Sequence, residues 1–289
     1  WHGGEPTLAG LPYFRRIAEL QKKHLPDNRF VINGIQTNGT LLDDEWCRFL
    51  KEENFIVGIS IDGPEQFHSA HRFRKDGKSC FDEAIRGYYL LKSFQIPCEI
   101  LCVVNAQNAV YPSEVYRFFK SLEAGFLTFI PLVECLSPER DRVSERTVPA
   151  RAFGEFLCAI FDEWQAKDIG KVKVQIFEEA LRTAFGVEHS LCIFKPVCGR
   201  VPVVEHNGDF YSCDHFVEPK FQIGNVQEKS LAEMLESQQQ KAFGYAKLDS
   251  LPKYCLSCYV RSMCNGACPK DRFIETPNGE PGLNYLCEG

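Results

Sequence analysis

The sequence has no apolar run long enough to cross a bilayer, and no charged-then-apolar leader at its start. It has no excess of basic residues: 33 Lys and Arg stand against 39 Asp and Glu, a net charge of −6. That is the wrong sign for a protein whose main partner is nucleic acid. Internal repeats and low-complexity tracts are absent. Cysteine numbers 14 in 289 residues, too dilute for a small disulfide scaffold and in a chain too long to be one. What is left is an acidic globular protein, expected in the cytoplasm, with no membrane or nucleic-acid partner. Its length allows one large domain and a smaller one.

The cysteines are unevenly placed. Eight fall between residues 192 and 287, as C-x5-C-x14-C (Cys192, Cys198, Cys213) and then C-x2-C-x5-C-x3-C-x18-C (Cys255, Cys258, Cys264, Cys268, Cys287). Eight thiols supply two four-thiolate metal sites. Thiolates suit both zinc and iron–sulfur clusters, and spacing alone does not choose between them. Cys98 and Cys102 lie four apart on a strand and read as core.

Upstream, apolar runs and helical patterns alternate. Strands are expected over 30–36, 55–61, 98–104 and 126–133. Helices are expected over 12–24, 43–53, 81–94, 112–123, 152–167 and 176–185, with a polar loop between 64 and 81 that carries His68, His71, Arg72 and Arg74. Strand–helix alternation implies parallel strands with right-handed crossovers, in a barrel or an open doubly wound sheet. In both, ligands bind at the carboxyl ends of the strands. Small polar groups fall there: Gly3-Gly4-Glu5, Thr37-Asn38-Gly39, Ser60 with Asp62, Asn105 and the stretch 131–134.

After residue 190 the pattern changes. Two short runs flank His206-Asn207-Gly208-Asp209, a hairpin signal that puts Cys213 at the end of the second strand. A short helix is expected over 231–236, and loop beyond it. Asp209 reads as turn chemistry; His206 and His215 read as surface or hydrogen-bonding residues.

Taken in order, WHGGEPTL (1–8), QTNGTL (36–41), VGISIDGP (57–64), FIPLVE (129–134), VVEHNGDFYSCDHF (203–216), the eight cysteines and GEPGLNYLC (279–287) resemble the radical SAM enzymes with a twin-cluster SPASM extension. The resemblance is specifically to the anaerobic sulfatase-maturating enzymes, and it covers essentially the whole chain. It implies a partial (β/α)6 radical SAM barrel over 1–187, lacking its first strand and helix, followed by a loop-rich α+β SPASM domain over 188–289.

By the same resemblance, Cys192, Cys198, Cys213 and Cys268 would bind one auxiliary [4Fe–4S] cluster, and Cys255, Cys258, Cys264 and Cys287 a second. Gly3, Gly4, Ser60, Arg72 and Val133 would contact S-adenosylmethionine, with Glu5 on its methionyl amine. Asp214 would be the catalytic base. The implied activity is conversion of a Cys or Ser in a nascent sulfatase (C/S-x-P-x-R) to Cα-formylglycine by a 5′-deoxyadenosyl radical. A flavodoxin or ferredoxin would supply electrons.

The family's C-x3-C-x2-C motif for its first cluster is not in these 289 residues. The chain opens at Trp1 inside a motif, so that motif and its cluster are expected upstream, the chain alone is expected to be inactive, and its short tail is expected to be clipped. Two other readings stay open: another peptide-modifying SPASM enzyme, such as a thioether former, and a zinc-stabilised module without catalysis.

Overall fold

The computed structural model describes residues 1–137 and 142–289. The chain divides into two compact units, Trp1–Glu134 with Glu145–Phe177, and Cys135–Ser144 with Glu178–Gly289.

The first unit is a parallel sheet with helical crossovers. A turn of 3-10 helix (Pro6–Ala9) leads into α1 (Leu11–His24), β1 (Gly34–Thr37), α2 (Asp44–Glu52) and β2 (Ile56–Ser60). Then follow α3 (Glu65–His71), α4 (Phe81–Ser93), β3 (Cys98–Val104), α5 (Pro112–Ser121), β4 (Phe126–Pro131), α6 (Ala150–Lys167) and β5 (Lys173–Val174). The strands lie in chain order, β1-β2-β3-β4-β5, and every neighbouring pair is parallel. Such an order has no reversal point. The sheet is therefore of the singly wound, barrel type, and its carboxyl rim is continuous.

Local chemistry explains the elements. Asp43 caps α2 by accepting from the Trp46 N–H at 2.9 Å. β2 is apolar because Val57, Gly58 and Ile59 are covered on both faces. Gly58 is small for a reason: a Cβ there would stand 2.8 Å from Leu101 Cδ1. Phe14, Trp46, Phe49 and Phe55 form an aromatic cluster, edge-to-face except for the tilted Phe49–Phe55 pair.

Three expectations need correction. The first strand is shorter than 30–36: Phe30 and Ile32 are 81 % and 68 % exposed, and pairing begins at Gly34. The backbone of Trp1 bonds to Gly34 O and Gln36 N on that strand's other side. The supposed loop after residue 64 holds α3, whose buried face is Phe67 and His68; a histidine on the inner face hid the apolar period. A two-residue strand, β5, separates the last two helices and was too short to read.

The second unit begins inside α7 (Gln175–Ala184). It contains an antiparallel sheet of β6 (Val203–Val204), β7 (Asp209–Tyr211) and β8 (Gln222–Asn225). The Asn207-Gly208 turn joins the first two, with Gly208 at φ 88°. Phe210 and Ile223 pack on Met234 of α8 (Leu231–Leu235), which opens with a Ser230/Glu233 capping box. Helices α9 (Gln238–Asp249), α10 (Lys253–Leu256) and α11 (Arg261–Cys264) and a hairpin of β9 (Arg272–Glu275) and β10 (Pro281–Asn284) complete it. The region beyond 236, expected to be loop, thus holds a three-turn helix and a hairpin. The buried face of α9 carries Gln240, Gly244 and Lys247, so its burial left no apolar stripe to see. Among the described residues no helix is long and apolar enough to cross a membrane.

Candidate functional site

In the first unit the polar groups gather at the carboxyl rim. Gly3 and Gly4 have φ of 92° and 53°, and a Cβ on either would meet nothing within 4 Å. Backbone conformation, not crowding, calls for glycine there, and the loop presents an open face. Glu5 ties that loop to the next one. Its Oε1 accepts from Thr7 N (3.0 Å), Thr7 Oγ1 (2.6 Å) and Thr37 Oγ1 (2.7 Å), and its Oε2 from Asn38 N (2.7 Å). Oε2 keeps a lone-pair direction for one further donor. Ser60 ends β2, and Val133 lies two residues beyond β4.

Arg72 follows α3 and is held by the nearly buried Asp62. Nε donates to Asp62 Oδ2 at 2.5 Å and Nη2 to Oδ1 at 3.1 Å. Oδ1 also accepts from Val103 N (2.9 Å), so the pair is locked to β3. Burial works against the Arg72 charge, and the Asp62 carboxylate more than restores it, holding the guanidinium above its ordinary value. His68 accepts from Asp62 N through Nδ1 at 3.4 Å and lies 3.6 Å from Cys80 Sγ through Nε2. Burial pulls His68 down to about 4, so its ring is neutral at pH 7.

Asn108, fully buried, braces this strand end. Its Nδ2 donates to Val103 O (2.9 Å) and Asp62 O (3.3 Å), and its Oδ1 accepts from Asn105 N (2.8 Å). The sequence reading missed His68 and Asn108. Asn105-x-x-Asn108 directly after a strand was the available signal, since Asn bonds its own backbone neighbourhood in such turns.

In the second unit the eight cysteines are all free thiols. Cys192 bears electrostatically on Cys198, Cys198 on Cys268, and Cys268 on Cys213. Cys255 is influenced by Cys258, Cys264 and Cys287, and Cys287 in turn by Cys258 and Cys264. Burial pushes the Cys213 thiol up to about 12, aided by the Asp214 carboxylate, and the Cys268 thiol up to about 11. Burial raises the thiols of Cys192 and Cys198 as well, so these four resist ionisation until a cation compensates them. Among the described residues the buried Ser212 hydroxyl beside Cys213 has no hydrogen-bond partner. Thiol donors in fours, with an orphan polar atom next to one of them, fit two metal–sulfur centres.

Asn265, Gly266 and Ala267 are all left-handed (φ 48°, 70° and 50°), so the chain reverses sharply between Cys264 and Cys268. Helix α9 holds two more of the cysteines: Gly244 O accepts from Cys198 N (3.1 Å), and Lys247 Nζ donates to Cys192 O (3.0 Å). At the end of the β7 strand, Cys213 Sγ donates to Asp214 Oδ1 at 3.3 Å, and His215 Nδ1 lies 3.7 Å from Cys268 Sγ. Asp214 and His215 therefore border the first thiol group. Asp209 stays in its turn, bonded to Asn207.

Comparison with known proteins agrees with both halves. Residues 1–119 match the radical SAM superfamily, and residues 196–259 match the SPASM iron–sulfur cluster-binding domain. A serine-type anaerobic sulfatase-maturating enzyme of Bacteroides thetaiotaomicron is 43% identical over all of this chain and 73% of its own length. A cysteine-type enzyme of Clostridium perfringens is 33% identical over all of this chain and 78% of its own. A solved structure of anSMEcpe with bound AdoMet superposes with a TM-score of 0.89 at 33% identity, covering 99% of this chain and 75% of that one. A more distant likeness to Streptococcus suis SuiB, at 16% identity and a TM-score of 0.64, reflects fold alone. A parallel sheet with a polar carboxyl rim, eight thiols gathered in the second unit and identity of this order over the whole chain lead to one assignment: the chain belongs to the anaerobic sulfatase-maturating enzymes, radical SAM oxidoreductases with a SPASM domain.

Proposed function

We propose that this protein oxidises a Cys or Ser side chain within a C/S-x-P-x-R segment of a nascent or unfolded sulfatase to Cα-formylglycine. The observation that carries the reading is Asp214 accepting a hydrogen bond from Cys213 in a unit that gathers eight cysteines. Relatives of both serine and cysteine type support it, as do related structures holding AdoMet and Cp18Cys or Kp18Cys peptides.

When bound, S-adenosylmethionine would supply hydrogen abstraction and the [4Fe–4S] clusters a sink for electrons. The chain's own residues do the rest. Gly3 and Gly4 offer open backbone to the cofactor, Glu5 accepts its ammonium through Oε2, and Ser60, Arg72 and Val133 line the same rim. Cys192, Cys198, Cys213 and Cys268 hold one cluster, and Cys255, Cys258, Cys264 and Cys287 the other. Asp214 takes the proton from the substrate thiol or hydroxyl. The barrel portion is assigned to 1–187 and the SPASM portion to 188–289. A flavodoxin or ferredoxin would be the reductant, and the setting the cytoplasm. Neither nucleic acid nor membrane is a partner in this reading, consistent with the −6 charge.

The test is an anaerobic assay of the cluster-loaded full-length protein with S-adenosylmethionine, dithionite and a C-x-P-x-R or S-x-P-x-R peptide. Formylglycine, detected by its mass and by capture with a hydrazide, is the expected product. Cofactor cleavage with no change in either peptide would overturn the substrate assignment, and a thioether product would move the chain to another peptide chemistry.

A further inference from the structure

Two cations drawn into the interior of the second unit have no carboxylate partner among the described residues. Lys247, on α9, is 1 % exposed, and its ammonium donates only to the carbonyls of Cys192 (3.0 Å) and Ile193 (2.7 Å). Arg272, at the start of β9, is half-buried. Its Nε donates to Gly266 O (2.8 Å), its Nη1 to Lys247 O (2.6 Å) and Ser250 Oγ (3.5 Å), and its Nη2 to Asn265 O (2.8 Å) and Ala267 O (3.4 Å). Among the described residues neither side chain makes an ion pair with a carboxylate.

Carbonyl dipoles solvate a buried cation but do not neutralise it, and an uncompensated buried charge is costly. Folds keep such a charge where an anion is to be met. The thiols of Cys198, Cys268 and Cys192 bear electrostatically on Lys247, whose ammonium is hydrogen-bonded to the Cys192 carbonyl. Cys255, Cys198, Cys264 and Cys268 bear on Arg272, whose guanidinium is bonded to the backbone between Cys264 and Cys268 and grips all three carbonyls of the left-handed run there.

We propose that Lys247 and Arg272 are positioning residues that act as built-in counter-cations of the two iron–sulfur clusters. Lys247 serves the Cys192/Cys198/Cys213/Cys268 centre alone, and Arg272 sits between the centres and raises the reduction potential of both. This rests on the cluster reading above. A cluster held by four thiolates is anionic and gains a further negative charge on reduction, so a fixed cation nearby favours the reduced form. One guanidinium shared by both centres moves the two potentials together, which suits an electron handed from one to the other.

The test is an anaerobic redox titration of the cluster-loaded protein followed by electron paramagnetic resonance, with iron and sulfide measured on each sample. Arg272→Gln is expected to lower both auxiliary potentials, cutting the reduced-to-oxidised ratio at fixed potential at least tenfold (about 59 mV for one electron). Lys247→Gln is expected to lower one of them. Arg272→Lys, which keeps the charge but not the threefold grip, is expected to stay close to the parent. Iron lost from Arg272→Gln but kept in Arg272→Lys supports the same role. Potentials unchanged at full iron content, or iron lost equally from both Arg272 variants, would leave the two cations as backbone braces only and overturn the proposal. Parent protein without iron and without a paramagnetic signal would defeat the cluster reading itself, an outcome distinct from the others.

Discussion

Asp62 holds Arg72 by two parallel hydrogen bonds, 2.5 and 3.1 Å long, while a third contact ties the same carboxylate to the Val103 N–H. The Asp62 side chain is 4 % exposed and that of Arg72 25 %, so the guanidinium cannot easily exchange its partner for water. Asp62→Asn removes the charge but keeps the shape. Breaking one side of a buried pair costs roughly 3–5 kcal/mol, reduced here because Arg72 is partly open to solvent. The expected result is a lower melting temperature and at least a tenfold weaker dissociation constant for S-adenosylmethionine by calorimetry. Parent-like cofactor affinity would remove Arg72 from the binding rim.

His68 predicts how stability depends on acid. Burial lowers its pKa in the folded protein to about 4, whereas the unfolded chain titrates near the usual value of about 6.5. Between those values the unfolded state binds more protons, so stability rises with pH across the window. The contribution is complete above about 6.5 and is lost as pH falls towards 4. Its size is at most roughly 3 kcal/mol. Denaturant titrations at pH 5 and pH 7 measure it: His68→Gln is expected to flatten the slope. An equal slope in parent and variant would assign the acid sensitivity elsewhere.

Gly4 separates backbone need from ligand space. A residue with a Cβ at φ 53° costs about 1–2 kcal/mol, while the added carbon itself meets no protein atom. Gly4→Ala is expected to lower the melting temperature by a few degrees. It is expected to weaken S-adenosylmethionine at least tenfold, because the methyl group enters the open face. Gly4→Asn, more tolerant of the left-handed region, should recover part of the melting temperature and none of the affinity. Recovery of both would mean that the loop's shape matters and its open face does not.

The sequence was legible where burial left a period or a cap. β3 was read to the residue because both its faces are covered, and α2 announced itself through Asp43. The hairpin before Cys213 was visible in Asn207-Gly208. Legibility failed where polar side chains do the burying. α3 puts His68 inside, and α9 puts Gln240, Gly244 and Lys247 inside. Both are tied to polar chemistry, of the Asp62–Arg72 corner and of the thiol groups, so the apolar pattern gave way in just those places. The cysteine spacing announced metal, but not the sharp reversal between Cys264 and Cys268. That depends on three consecutive left-handed residues, and only Gly266 among them signals such a backbone.

Asp214 offers the sharpest separation of chemistry from assembly. Cys213 Sγ donates to its Oδ1 at 3.3 Å, and that donor disappears once Cys213 is a deprotonated metal ligand. One acceptor position on the carboxylate then returns, beside the first thiol group. A base placed there governs the substrate proton and nothing in cofactor binding. Asp214→Asn keeps the size and loses the base, so peptide oxidation is expected to fall by about 10²–10⁴-fold, the usual contribution of a general base. Iron content, cofactor affinity and reductive cleavage of S-adenosylmethionine should stay at parent levels, because the variant leaves Cys213 and the strand-end rim intact. Asp214→Glu is expected to recover part of the rate. Peptide oxidation within a few-fold of the parent in Asp214→Asn, at equal iron content, would move the base to another residue.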